Sequence, residues 1–141
     1  MSIEISETSD LDACLALRFE VFVGEQNVPV EEERDALDDA ATHLLATIDG
    51  KPMGTARIVW LEDTAKIGRV CVLKAARGTG LGKKLIEAAV ASAEQREGIS
   101  KAKLGSQMQA IGFYEKLGFS VSGPVYLDAG IEHQDMTRHL G

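Results

Sequence analysis

The chain predicts an α/β (α+β) fold organised as one domain, and three features carry that expectation. Apolar residues alternate at period two in several short segments and recur at helical spacing in others, in the order β-α-loop-β-β-β-α-β-α-β-β. Asp49-Gly50, a dipeptide that tolerates positive φ, joins two of the strands as a hairpin. The apolar run Val70-Cys71-Val72-Leu73 is followed by a glycine-rich connection and an amphipathic helix. With 141 residues and 45% hydrophobic content there is material for one core, so residues 1–141 are expected to form a single domain without a linker.

Each element has its own signal. Ile3 and Ile5 alternate with Glu4 and Ser6 as a first strand. Ser9 or Asp10 supplies an N-cap, and Leu11, Cys14, Leu15, Arg18, Phe19 and Phe22 follow at helical spacing to about position 22 or 23. Residues 24–41 are polar and acidic and contain Pro29, which reads as a long ordered loop with at most a helical turn. Strands are expected over 43–48, 53–60 and 66–73, the last buried on both faces. Leu81, Leu85, Ala88, Ala89 and Ala93 form one stripe of a helix over 80–97, and Gly98 is its stop. A strand over 101–106, a short helix over 107–117 closed by Gly118, and strands over 119–121 and 132–137 complete the order.

Composition excludes several classes of function. No apolar stretch approaches the ~18 residues of a membrane-spanning helix, and the N-terminal residues lack the pattern of a signal peptide, so a cytoplasmic location and no membrane partner are expected. Cys14 and Cys71 stand far apart with no C-x-x-C pair, which argues against a disulfide framework and a metal site. Fifteen basic against twenty-two acidic residues give a net charge of −7, the wrong sign for binding nucleic acid.

The run Arg77-Gly78-Thr79-Gly80-Leu81-Gly82, with Lys83 and Lys84 beside it, places small residues where a helix begins. Free N–H groups and the positive end of the helix dipole converge there, so the position suits an anion. A dinucleotide G-x-G-x-x-G starting at Gly78 fails at Lys83, and a Walker A loop fails at Arg77 and Lys84. A bare tight turn would need fewer glycines than the three present.

Val70-Cys71-Val72-Leu73 followed by Arg77-x-x-Gly80-x-Gly82, and later Ala110-x-x-Phe113-Tyr114-x-x-x-Gly118-Phe119, together resemble the GCN5-related N-acetyltransferase (GNAT) superfamily. Arg18-x-x-Val21-Phe22 with Glu25 to Pro29, the acids ending in Asp38 and Asp39, and Asp128 to His133 resemble its small bacterial ElaA/YjcF-like subgroup. The resemblance implies a mostly antiparallel mixed sheet of six or seven strands flanked by about four helices. A splayed parallel strand pair would hold acetyl-CoA (coenzyme A), acting as co-substrate without a metal. Val70, Cys71 and Val72 would pair through their main chain with the pantetheine, while Arg77, Gly78, Thr79, Gly80, Leu81, Gly82 and Lys83 take the pyrophosphate and Gln107 bonds the cofactor.

Direct transfer to a primary amine needs a neutral amine, a stabilised carbonyl oxygen and an acid for the departing thiolate. The resemblance gives Tyr114 as that acid and a further contact to the cofactor. His43 is a candidate base, with a structural histidine as the competing role. Glu25 and His133 are candidate substrate-binding residues, and Glu25 with the acids at 31–39 suggests a small, cationic amine acceptor. A homodimer is left open, as is a non-catalytic acyl-CoA-binding or sensing domain. Acyl-homoserine-lactone synthesis, which also opens with an Arg-x-x-Val-Phe-like helix, expects a longer chain.

Overall fold

The computed structural model describes residues 2–33 and 35–140. Seven strands form one sheet: β1 (Ile3–Thr8), β2 (Thr42–Ile48), β3 (Lys51–Leu61), β4 (Thr64–Val72), β5 (Lys101–Gln107), β6 (Ser120–Asp128) and β7 (Ile131–His139). Their spatial order is β1-β2-β3-β4-β5-β7-β6, and every neighbouring pair is antiparallel except β4 with β5. The parallel pair is connected through α3 (Leu81–Gln95), as a crossover between parallel strands requires. Asp49 and Gly50 have φ of 51° and 82°, which turns β2 into β3 within two residues.

The two faces of the sheet are covered differently. Leu81, Leu85, Ile86, Ala89, Val90 and Ala93 of α3 are buried against Leu44, Ala46, Ala56, Ile58, Ala65 and Ile67, with Leu104 and Met136 completing this core. Helix α1 (Leu11–Arg18), capped by the Asp10 side chain on the Ala13 N–H at 3.1 Å, brings Leu17 to a smaller cluster with Val21 and Cys71. Its winding continues as a π-helix over Phe19–Glu25, slightly beyond the expected end. Residues 24–41 form a long connection that carries the single turn α2 (Val30–Glu33) and a 3₁₀ turn over Ala36–Asp39.

Three expectations need correction. Strand β4 is not buried on both faces along its length: Lys66 is exposed and Gly68, Arg69, Val70 and Val72 are half-buried. Lys66, Gly68, Arg69 and Val70 border an open cleft, and a bulge also interrupts the pairing with β3: Arg57 pairs with Gly68 while Thr55 pairs with Cys71, which leaves one extra residue on β4. Arg69 takes up that residue with φ of 48°. The last two strands are longer than expected and form a hairpin across Ala129 and Gly130, at φ of 51° and 78°. The helix expected over 107–117 is instead a 3₁₀ turn over Met108–Ala110 leading into α4 (Ile111–Glu115).

Candidate active site

The strands β4 and β5 pair only from Thr64↔Lys101 to Ile67↔Leu104. Beyond that point β4 continues to Val72, displaced by its bulge, and β5 continues to Gln107 held by β7, so the two diverge. A cleft of about 600 Å³ opens at this divergence. Gly68, Val70, Gly105 and Gln107 supply its floor, Tyr114 of α4 borders it, and the tip of the β6–β7 hairpin and the 22–37 segment form opposing walls. Main-chain groups facing such a gap can pair with an extended, amide-bearing ligand as a strand would.

The glycine run stands at the C-terminal end of β4. Gly78 and Gly80 both have φ of 84°, where any other residue is strained, and a Cβ at either would meet nothing within 4 Å. The first turn of α3 has Gly80 at its N-cap and no side-chain cap, which leaves its first N–H groups for a ligand. The Thr79 hydroxyl donates to the Ala76 carbonyl at 2.5 Å, and the Arg77 Nε donates to the Val72 carbonyl at 3.1 Å, so both side chains brace the turn. Lys83 is exposed, whereas Leu81 is buried in the core and can offer only its main chain. A Cβ at Gly82 would lie 3.9 Å from Val72 Cγ2, which places the start of α3 beside the end of β4. This backbone fits a pyrophosphate: small, open and electropositive.

Cys71 turns its thiol away, into the cluster with Leu17 and Val21, and burial pushes that thiol up to about 12. A group so reluctant to ionise is a packing residue, and Cys71 can offer a ligand only its main chain.

Tyr114 is packed edge-on to Phe113 at 5.1 Å and to Phe119 at 6.2 Å, which fixes its ring on the cleft border. Burial raises its pKa above the ordinary phenol value, so the hydroxyl is a proton donor across the neutral range. The hydroxyl has no hydrogen-bond partner among the described residues. Gln107 donates to Gln26 Oε1 at 3.2 Å and accepts from Gln109 at 2.6 Å, linking the end of β5 to the 22–37 wall. His133 stands opposite Gln107 on β7 and also lines the cleft.

Two candidates lie elsewhere. His43 is 7% exposed, its Nε2 sits 2.9 Å from the Asp38 carbonyl, and it faces a second cavity near Thr8 and Ser9. The 35–39 turn covers it and separates it from the cleft. Glu25 pairs with Arg77 at 2.8 Å, next to the glycine turn, and is not among the residues that line the cleft.

The acidic stretch is the largest departure from the sequence reading. Arg18, fully buried on α1, donates to Glu33 Oε1 at 2.5 Å, to the Glu33 carbonyl at 3.0 Å and to Asp38 at 2.7 and 3.2 Å. Arg57 of β3 reaches Asp35 at 2.7 Å and Asp38 at 3.0 Å, and Arg69 at the bulge reaches Asp35 at 3.3 Å. Burial pushes the Asp38 carboxyl up, but Arg18 and Arg57 outweigh it and hold the group at about 2. Three guanidiniums therefore neutralise Glu33, Asp35 and Asp38, and these acids cannot act as a free negative entrance. An arginine inside the apolar stripe of α1 was the available sign of this network. Among the described residues, Asp128 at the hairpin tip is a cleft carboxylate in none of these arginine pairs.

A splayed parallel pair, an uncapped helix after a glycine turn and a tyrosine at the divergence are a family arrangement. The family model for the acetyltransferase (GNAT) domain matches residues 6–140. The chain belongs to the GNAT family. YjcF of Bacillus subtilis, described as an uncharacterized N-acetyltransferase, is 42% identical over 123 residues, spanning 86% of this chain and 87% of that protein. Protein ElaA of Escherichia coli is 33% identical over 136 residues, 94% and 89% of the two chains. An acyl-CoA N-acyltransferase from Pseudomonas aeruginosa superposes with a TM-score of 0.87 at 34% identity, covering 97% of this chain and 99% of that one. A GNAT family acetyltransferase from Elizabethkingia anophelis, solved with acetyl-CoA bound, shares the fold at a TM-score of 0.69 and 17% identity over 98% of each chain. This GNAT chain is an N-acetyltransferase of the ElaA/YjcF-like subgroup, and acyl transfer is its chemistry.

Proposed function

We propose that this GNAT enzyme transfers an acetyl group from acetyl-CoA directly to a primary amine of a small molecule, with Tyr114 as the acid. The observation that carries the reading is the divergence of β4 and β5 after Ile67↔Leu104, with the phenol of Tyr114 at its border and the glycine turn at the end of β4. An extended pantetheine would pair with the main chain of Val70 and Val72 along the gap. The pyrophosphate would then meet the N–H groups from Gly78 to Lys83, with the thioester directed toward Tyr114. The amine would enter between the β6–β7 tip and the 22–37 wall, where Asp128 and His133 are among the polar groups that line the cleft.

In this reading the amine nitrogen attacks the thioester carbonyl, the carbon–sulfur bond breaks, and the thiolate takes its proton from Tyr114. The raised phenol pKa favours the protonated donor before the reaction. The test is CoA release from acetyl-CoA across a panel of amines, together with calorimetry on Tyr114→Phe. Turnover should fall ~10²–10⁴-fold in that variant while acetyl-CoA binding stays within about twofold. Wild-type turnover in Tyr114→Phe would remove the residue from the mechanism. Acetyl-CoA binding with no amine-dependent release in the wild type would leave a binding domain only.

A further inference from the structure

We propose that His133 is the base that takes the proton from the acceptor amine. The inference rests on the transferase reading above and adds the proton acceptor that it lacks.

Three observations converge on this side chain. His133 Nδ1 lies 2.7 Å from the Ile131 carbonyl oxygen. A carbonyl only accepts, so Nδ1 carries the hydrogen and the neutral ring keeps its lone pair on Nε2. Nε2 has no hydrogen-bond partner among the described residues, and the side chain is half-buried in the wall of the cleft. The ring is also held in orientation, stacked on Tyr126 at 5.9 Å with 23° between the planes. Tyr126 is in turn fixed by its hydroxyl, which donates to Asp135 Oδ1 at 2.9 Å and lies where a Cβ at Gly105 would otherwise stand. An imidazole with a set tautomer, a set plane and an unengaged lone pair beside the strand gap is prepared to receive a proton.

The contrast with His43 sharpens the assignment. Its Nε2 hydrogen is engaged by the Asp38 carbonyl, and its Nδ1 is buried without a partner on the wall of the other cavity. Asp128 at the hairpin tip lines the same cleft as His133, as do Lys66 and Arg69, while Glu132 adjoins it on β7 and Asp135, two residues along β7, is approached by Lys103 at 3.3 Å.

The step balances. The amine nitrogen forms its bond to the carbonyl carbon, its proton passes to His133 Nε2, the carbon–sulfur bond breaks and the thiolate takes the Tyr114 proton. His133 then returns its proton through solvent and Tyr114 regains one, which leaves amide and free CoA thiol.

The test uses the full chain with acetyl-CoA and an alkylamine that the wild type accepts. In His133→Gln, turnover should fall ~10²-fold or more while calorimetry shows acetyl-CoA affinity within about twofold of wild type. In His133→Ala, added imidazole should restore part of the lost rate in a saturable manner, a response that a purely structural histidine would not give. Turnover above half of wild type in His133→Gln, or a His133→Ala variant that binds acetyl-CoA but gains nothing from imidazole, overturns the assignment and leaves the transferase reading standing. A wild type that releases no CoA with any amine overturns both.

Discussion

Replacing Arg18 by methionine tests the network that holds the cleft wall. Arg18 is fully buried and donates four hydrogen bonds to the 33–38 segment, two to Glu33 oxygens and two to Asp38 oxygens. In Arg18→Met the stem volume is roughly kept, but the Asp38 carboxylate is left with Arg57 at 3.0 Å and the Asp35 N–H at 3.3 Å, and the Glu33 carboxylate with the longer approach of Arg69 at 3.8 Å. Breaking a buried pair from one side costs ~3–5 kcal/mol, and the surviving partners place the expected loss at the lower end, about 3 kcal/mol. For a chain of 141 residues the entropy of unfolding is roughly 0.3 kcal/mol/K near the midpoint, so Tm should fall by about 10 °C. Differential scanning calorimetry reads this directly. Adding Glu33→Gln to Arg18→Met should recover part of the loss, because it removes the carboxylate left without a close partner. A fall below about 3 °C, or strict additivity of the two substitutions, would mean that these ion pairs are no stronger than surface ones and would refute the argument.

Three further outcomes follow from the same geometry. The Asp38 carboxyl is held at about 2 against an ordinary 3.8, so its contribution is complete above pH ~4 and is lost as pH falls toward 2. Urea titrations at stepped pH should show about 2 kcal/mol lost across that window from this group, and Asp38→Asn should flatten it. Gly80→Asp puts a side chain at φ of 84° and a negative charge in the anion cradle, so calorimetry should find CoA binding at least about tenfold weaker. Gly105→Ala displaces the Tyr126 hydroxyl from Asp135 and loosens the ring on which His133 stacks. Turnover should then fall several-fold for a stability loss of only ~1 kcal/mol, measured by initial rates and by denaturant unfolding.

The parts that were legible in the sequence are those whose signal is local. Asp49-Gly50 and the glycine run before Leu81 each specify backbone geometry within a few residues and appear where their residues predict them, whereas the Phe113-Tyr114 helix lies inside its predicted span but is shortened by a 3₁₀ turn. The last hairpin is longer than the strands expected over 119–121 and 132–137, and β6 runs through Gly123 and Pro124. Strand β6 is an edge strand whose pairing shifts register between Val121 and Val125, so a proline without an N–H is tolerated there. The β4 bulge at Arg69 left no sequence signal, since nothing nearby shows that one residue of a continuous run would be unpaired. From sequence, His43 is the candidate base and His133 a candidate substrate-binding residue. What separates them is long-range: the Asp38 turn covers one, and the hairpin tip presents the other to the cleft.

The acidic segment shows most clearly why charge must be read with its partners. Residues 24–41 offer little apolar surface for anchoring: Val30 is 54% exposed and Leu37 50%. Hydrophobic burial therefore cannot hold this wall against the sheet. Arg18, Arg57 and Arg69, from a helix, a strand and a bulge, grip it through Glu33, Asp35 and Asp38, so the wall position depends on directional bonds to three separate elements. A wall held by apolar packing would tend to settle onto the floor of the cleft and close it. Ionic anchors fix the segment at a distance instead, and so keep the cleft open along the divergence of β4 and β5.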